Sequence, residues 1–217
     1  MILHQHEQGS PAWYAARTGV ITASMFSTAR YKTKKGEWSS EARKYAFRLA
    51  LERLGGSPLD EGFQTWAMKR GKELEPRARE KIAARLGAEI SVPGFCVTDD
   101  GLFGASADGF IGSDKGLEIK CLVDPDRIST VLVSDDISEF EDQIQGGMWI
   151  TGRSSWYYAL YLPQLDKAGR SLYLREVRRN ENYIADLERD LRSFNDLVNS
   201  ALENLKQNIP EEGKEMF

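Results

Sequence analysis

The run Gly116-Leu117-Glu118-Ile119-Lys120-Cys121-Leu122 alternates polar with apolar residues, the period of two that belongs to a strand. Successive strand side chains point to opposite faces. Leu117, Ile119 and Cys121 therefore share one side, and Glu118 and Lys120 share the other. Upstream, two short apolar runs, Leu102-Phe103 with Gly104-Ala105 and then Phe110-Ile111, flank Asp108, and a turn rich in Gly, Ser and Asp follows. This pattern predicts a hairpin that brings the Asp108 carboxylate beside Glu118, with the Lys120 ammonium just beyond.

Two carboxylates meeting at one point repel each other unless positive charge lies between them. Hard divalent cations such as Mg2+ take oxygen ligands of this kind and keep open positions for water and phosphate. A lysine beside such a site can orient or deprotonate the attacking water, or neutralise charge on the phosphate. The competing reading is a solvated hairpin in which Glu118 and Lys120 form a surface pair. The preceding Ser106-Ala107-Asp108-Gly109 and the apolar opposite face favour the first.

Composition narrows the chemistry further. His4 and His6 are the only histidines and lie at the extreme N-terminus, so a histidine general base, a nucleophilic triad or a histidine-rich zinc site is excluded from the body of the chain. Cys96 and Cys121, the only cysteines, sit among apolar residues, which predicts buried free thiols and a cytoplasmic setting. No apolar signal segment or membrane-length run is present, so no membrane association is expected. The 217 residues suit one domain over 1–217 with a sizeable core.

A net charge of −4 argues against indiscriminate DNA coating. Basic residues nevertheless concentrate between Arg30 and Arg48, including Lys34, and again between Lys69 and Arg85. Each cluster alone reads as a solvated helix face; together they suit a channel that is positive only where phosphates pass.

Ser10 caps a predicted short helix with Pro11 at its first position, and Thr22 or Ser24 caps the next. Tyr31 to Trp38 reads as a mobile loop, and Ser39 or Ser40 opens a helix that stops at Gly55-Gly56. A helical region from Phe63 to Leu86 should kink or break near Gly71–Pro76, because proline lacks the amide hydrogen and clashes one turn back. Ser138-Glu139-Phe140-Glu141 has the capping-box pattern for a helix through Gln145 to Gly152. Strands are expected at Ser155–Leu162 and Arg170–Val177, then a long amphipathic helix over about 180–207 and a frayed tail.

Four blocks in this order carry a family resemblance: Trp13 with Arg17-x-Gly19 to Ser24; Gly71-Lys72-x-x-Glu75; Ser106-x-Asp108-Gly109 with Leu117-Glu118-Ile119-Lys120-Cys121; and Gln143-x-Gln145-x-x-Met148-Trp149. Collinear at these separations, they resemble the PD-(D/E)xK nuclease superfamily and, within it, the phage lambda exonuclease or YqaJ-type viral recombinase group. The resemblance implies an α/β fold with a restriction-endonuclease-like core, a central mixed sheet flanked by helices. It implies a ring-shaped homotrimer that digests one strand of linear duplex DNA from 5′ to 3′, leaving 3′ overhangs for a phage single-strand annealing protein in the bacterial cytoplasm. Asp108, Glu118, the Ile119 carbonyl and Glu75 are implied as ligands of two Mg2+ ions, with Mn2+ as a substitute. Lys120 and Gln145 are implied as catalytic, and Arg17 with Ser24 as the 5′-phosphate pocket. Met68 stands where an apolar wedge between strands is expected; Trp13 either stacks on a base or packs; Lys34 stands in the basic loop ahead of the site. Two alternatives stay open: a structure- or site-specific endonuclease of the same fold, and a non-catalytic DNA-end-binding protein.

Overall fold

The computed structural model describes residues 1–59 and 65–209. Its strands are β1 (Ile2–His4), β2 (Ile21–Thr22), β3 (Ile90–Ser91), β4 (Phe95–Val97), β5 (Phe103–Ala105), β6 (Gly109–Ile111), β7 (Lys115–Lys120), β8 (Ser155–Tyr161) and β9 (Leu172–Arg178). The helices are α1 (Pro11–Arg17), α2 (Phe26–Arg30), α3 (Ser40–Gly55), α4 (Trp66–Leu86), α5 (Pro125–Ser134), α6 (Glu141–Thr151) and α7 (Glu181–Asn208).

The expected mixed sheet is the five-stranded one, in order β3-β6-β7-β8-β9. Only its β7–β8 pair is parallel, with Glu118 opposite Tyr158 and Lys120 opposite Leu160. A second sheet, β1-β4-β5-β2, stands beside it; of its strands the sequence marks Phe95–Val97, and the pairing of the four into a sheet is not indicated by the sequence pattern. Its strands have two or three residues each, too short for a period of two to declare itself.

The alternation in β7 is realised as read. Leu117 and Ile119 pack with Ala78 and Ile82 of α4 and with Ala159 and Tyr161 of β8. On the other face of the sheet, Trp156, Tyr158 and Leu160 of β8 meet Ile144 and Met148 of α6 and Val131 of α5. Each fully buried Leu, Ile or Met among them contributes about 1.5–3 kcal/mol, so the sheet is held from both sides. A Cβ at Gly116 would lie 2.1 Å from the Trp156 ring, so the first position of the alternation admits no side chain. The largest core joins α2, α3 and α7, with Leu187, Leu191, Phe194 and Val198 of α7 buried at helical spacing.

Caps follow the sequence in part. Ser10 and Ser39 accept the backbone N–H groups of Trp13 and Ala42, and Gly56 ends α3 in the left-handed conformation. Ser138 does not cap α6. Its N–H donates to Asp136 Oδ1 at 2.8 Å, residues Ser138–Phe140 form a 3-10 turn, and α6 starts without a side-chain cap. The aspartate two residues upstream has outcompeted the helical cap with a local turn.

The break expected near Pro76 is likewise corrected: α4 continues from Trp66 to Leu86 with Pro76 inside it. One missing hydrogen bond on an exposed face is offset by Ala78 and Ile82, both fully buried against the sheet. The proposed start at Phe63 lies outside the described residues, as does most of the tail; Thr65 caps the helix by accepting Met68 N–H. Residues 31–38 fold back on themselves through a Lys32–Trp38 bridge, with Thr33 N–H on Glu37 O at 2.8 Å. Trp38 packs its edge on Phe194, which anchors the segment. Both cysteines are free, Cys96 buried and Cys121 partly so.

Candidate active site

The β6–β7 hairpin places the acids. Asp108 precedes β6, and its N–H donates to Leu117 O at 3.0 Å. Its Oδ2 in turn accepts the Ile119 N–H at 2.6 Å, so the carboxylate is locked to the neighbouring strand. Glu118 Oε1 lies 2.6 Å from Lys120 Nζ. Gln143 of α6 closes a triangle, donating Nε2 to Glu118 Oε1 at 2.7 Å and accepting Lys120 Nζ on Oε1 at 3.0 Å. Glu75 reaches the same place from α4, and Arg79 below it donates to the Asp108 carbonyl at 2.9 Å.

Asp108, Glu118, Lys120, Gln143 and Glu75 line one cavity of about 190 Å3 together with Arg17, Ser24 and Ser106. A wider cleft of about 690 Å3 continues from it past Met68, Cys121 and Arg127. Asp108 is 7 % exposed and Glu118 5 %, so the solvated-hairpin reading does not hold.

Electrostatics follow from that burial. Burial first, then repulsion from Glu118 and Glu75, pushes the Asp108 carboxyl well above the usual carboxylate range. Glu75 is raised mainly by burial, with Glu118 adding and Arg79 opposing. Burial pulls Lys120 down, but attraction and a hydrogen bond from Glu118, with Asp108 beyond, outweigh it and raise the ammonium. Lys120 is thus a fixed positive charge at neutral pH, suited to holding a phosphate or orienting a water.

Arg17 closes the far side. Its guanidinium lies 4.1 Å from the Trp13 ring centroid, and Nη1 donates to Ser106 Oγ at 3.3 Å. Burial lowers its pKa to about 10. Trp13 is 8 % exposed and packed with Phe95, Val20 and Val97, and it also lines both cavities. Met68, on the first turn of α4, is 57 % exposed and faces the wider cleft, so it is not a core residue. Lys34 is exposed on the 31–38 turn and lies outside both walls.

Gln145 is corrected. It is 1 % exposed, and its Nε2 donates to Glu141 Oε1 and Arg178 O while its Oε1 accepts Asn180 N–H. It fastens α6 to the start of α7. Gln143 is the glutamine at the cavity, and Ser106 is a second wall residue; both stand in the motif blocks, but the sequence assigned neither a role. Two residues along a helix are turned about 200° apart, so only one glutamine of Gln-x-Gln can face β7. The spacing showed that choice and not its outcome.

Among the described residues, no group of three or more His, Cys, Asp or Glu side chains is arranged as a metal cage. The donor set still suits a hard cation in kind. Asp108 and Glu118 are buried oxygen donors, and burial, with repulsion from Glu118 added, raises the carboxyls of Asp108 and Glu75.

The model of the YqaJ-like viral recombinase domain matches residues 12–154, more than half of the chain. The chain belongs to this family. The matched span runs past Gln143 and so includes every residue named above at the wall of the smaller cavity. Among solved structures, this YqaJ-like chain is similar to LHK-Exo, an alkaline exonuclease from Laribacter hongkongensis crystallised in complex with dAMP. Identity is 28 %, coverage is 92 % of this chain and 97 % of that one, and the TM-score is 0.81. A phage-related exonuclease from Haemophilus somnus 129PT shares the fold, at 14 % identity and a TM-score of 0.67. The ExoD protein of Escherichia coli (strain K12) is 32 % identical over 76 residues, which are 35 % of this chain and 77 % of ExoD. The mixed sheet with flanking helices is the restriction-endonuclease-like core expected for the family.

Proposed function

We propose that the protein is a metal-dependent exonuclease that digests one strand of linear duplex DNA from its 5′ end and leaves a 3′ single-stranded overhang. The observation that carries this reading is that Asp108, Glu118 and Lys120 open into the same cavity as Arg17 and Ser106. A site for phosphodiester chemistry and a fork for a terminal phosphate are therefore neighbours. The similarity to LHK-Exo supports it, since that exonuclease holds dAMP, the class of mononucleotide such a reaction releases.

Mg2+, or Mn2+ in its place, supplies Lewis-acid charge and a more acidic water when held by Asp108, Glu118, the Ile119 carbonyl and Glu75, with two ions per site. The residues do the remaining work. The Ile119 N–H fixes the Asp108 carboxylate. Gln143 holds Glu118 and Lys120 in one rigid group, so the ammonium meets the phosphate without reorganising. The Arg17 guanidinium offers parallel hydrogen bonds to the oxygens of a 5′-phosphate, with Ser24 and Ser106 hydroxyls on the same wall. Met68 stands in the wider cleft, exposed as a wedge between strands needs to be. Lys34 meets the duplex outside it.

The whole chain is read as one such domain, acting as a ring-shaped homotrimer around the duplex in the bacterial cytoplasm, and handing its overhang to a phage single-strand annealing protein. None of its described helices is long and apolar enough to cross a membrane.

The test is digestion of linear duplex and of closed circular plasmid, with Mg2+ and with chelator. The expected result is loss of the linear DNA only with Mg2+, and an intact circle. Asp108→Ala and Lys120→Ala should each slow the reaction by at least about 100-fold. Cutting of the circle at a comparable rate would make the protein an endonuclease of this fold. Undiminished cutting in chelator would overturn the metal reading, and end binding without cutting would make it a non-catalytic end-binder. Sedimentation in Mg2+ buffer should show a trimer; a monomer alone would remove the ring and leave the nuclease.

A further inference from the structure

The turn that follows Arg17 is gripped from α3 by two consecutive side chains. Glu52 is 5 % exposed, and its Oε2 accepts the Gly19 N–H at 3.0 Å. The adjacent Arg53 donates Nε to the Gly19 carbonyl at 2.9 Å, and Nη1 to Asn199 Oδ1 at 3.0 Å. Both polar groups of Gly19 are thus held, from two directions about 100° apart around the helix. Gly19 has φ +69°, and a Cβ there would lie 2.7 Å from Arg53 Cγ, so the grip requires glycine at this place.

The second oxygen of Glu52 accepts Arg48 Nε at 2.9 Å and Leu59 N–H at 3.4 Å. One buried carboxylate therefore gathers three parts of the cleft wall: the turn after α1, the α3 face carrying Arg48, and the chain approaching α4. A neutral side chain cannot do this. The amide of glutamine offers an acceptor on one side only and would turn N–H against N–H on the other.

Helix α1 has seven residues, too few to hold its shape by helix propensity, so Arg17 on its last turn is placed by whatever fixes its ends. Ser10 fixes the start. At the other end, Val20 N–H bonds Arg17 O at 3.1 Å, and the next anchor is the gripped Gly19. Glu52 also faces the wider cleft beside Arg17, and its charge favours the ionised guanidinium.

We propose that Glu52 and Arg53 are positioning residues that set the Arg17 guanidinium in the cleft and thereby the preference for a 5′-phosphorylated end. The proposal rests on the reading of Arg17 as the end-recognition residue. It separates recognition of the end from the chemistry at Asp108, Glu118 and Lys120, which Glu52 does not touch.

The experiment measures kcat and KM on linear duplexes ending in 5′-phosphate or 5′-hydroxyl, for wild type, Glu52→Gln, Arg17→Ala and the double variant, with thermal melts alongside. Glu52→Gln should raise KM for phosphate ends roughly tenfold, the worth of a charge-assisted hydrogen bond, and leave kcat within about twofold. Its rates on hydroxyl ends should stay within about twofold, and in the Arg17→Ala background it should add nothing. Equal losses on both ends, additive losses in the double variant, or wild-type discrimination in Glu52→Gln would each overturn the proposal. If Glu52→Gln does not melt cooperatively, Arg53→Lys is held to the same criteria, since it keeps the cation and loses the fork. Wild type without phosphate preference would bring down the end-pocket reading and the proposal with it. A wild type that discriminates and an Arg17→Ala that does not, beside a Glu52→Gln like wild type, would remove the grip alone.

Discussion

Gln143 and Gln145 stand two positions apart on α6, one bonded to Glu118 and Lys120, the other to Glu141, Arg178 and Asn180. Their substitutions should separate chemistry from stability. Gln143→Ala leaves Glu118 and Lys120 paired but free to turn, and removal of such an outer partner typically costs about 10–100-fold in activity. Its melting point should move little. Gln145→Ala removes the hydrogen bonds to the Asn180 N–H and the Arg178 carbonyl, both part-buried, and empties a buried side-chain site, for a loss of about 1–3 kcal/mol in all. Denaturant midpoints and digestion rates on both variants check this; equal rate losses in the two would mean that Gln145 also acts at the site. At this scale the acids and Lys120 were legible, because a strand's period of two fixes which side chains share a face. Which of two glutamines faces inward, and that Ser106 joins Arg17, depend on helix rotation and on contacts across 89 positions of sequence, to which no local pattern reports.

The elements show the same division. Pro76 predicts a break from local chemistry alone, yet α4 continues, because the tertiary packing of Ala78 and Ile82 outweighs a missing bond on the solvent side. Long, strongly periodic elements such as α7 and β7 were legible, and so was the apolar run Phe95–Val97; the pairing of the short strands into a second sheet is defined by their partners and was not. Helix α4 is also pinned where β8 turns toward β9. Asp166 in that connection accepts Arg77 Nη2 at 2.5 Å and lies 3.0 Å from Lys81 Nζ. The Ser171 hydroxyl foremost, then Lys81, Tyr161 and Arg77, hold its pKa down to about 2. A carboxyl depressed on folding stabilises above its unfolded pKa, near 4, and that support is lost as pH falls toward 2. Asp166→Asn should therefore melt below wild type at pH 6, and the gap should close between pH 4 and about 2. Melting curves across that range test it, and a gap independent of pH would show that shape rather than charge matters at Asp166.

On the scale of the molecule, the two sheets meet at the cavity: Ser106 to Asp108 is all the chain between β5 of one and β6 of the other. Arg17 and Ser24 belong to the small-sheet side and the acids to the mixed sheet, so the site exists only while the halves keep their spacing. Arg30 at the end of α2 bridges to α6 and α7. Its Nη1 donates to Asp142 of α6 at 2.6 Å, its Nη2 to Asp190 of α7 at 2.8 Å, and Tyr183 Oη donates to the same Asp142 oxygen at 2.7 Å. Burial pulls the Arg30 guanidinium down, but Asp142 and Asp190 outweigh it and raise it. Asp142 precedes Gln143, so this network ties the element after Ser24 to the residue that orients Lys120. Arg30→Met keeps the stem's packing and leaves two partly buried carboxylates without their cation. The expected loss is roughly 2–3 kcal/mol, below the 3–5 typical of a fully buried pair because Arg30 retains 22 % side-chain exposure. Urea unfolding should show a lower midpoint at an unchanged slope. High salt should shrink the difference only slightly, because shielded pairs are screened little; a difference abolished by salt would make the network a surface contact and leave the spacing of the halves to the apolar core.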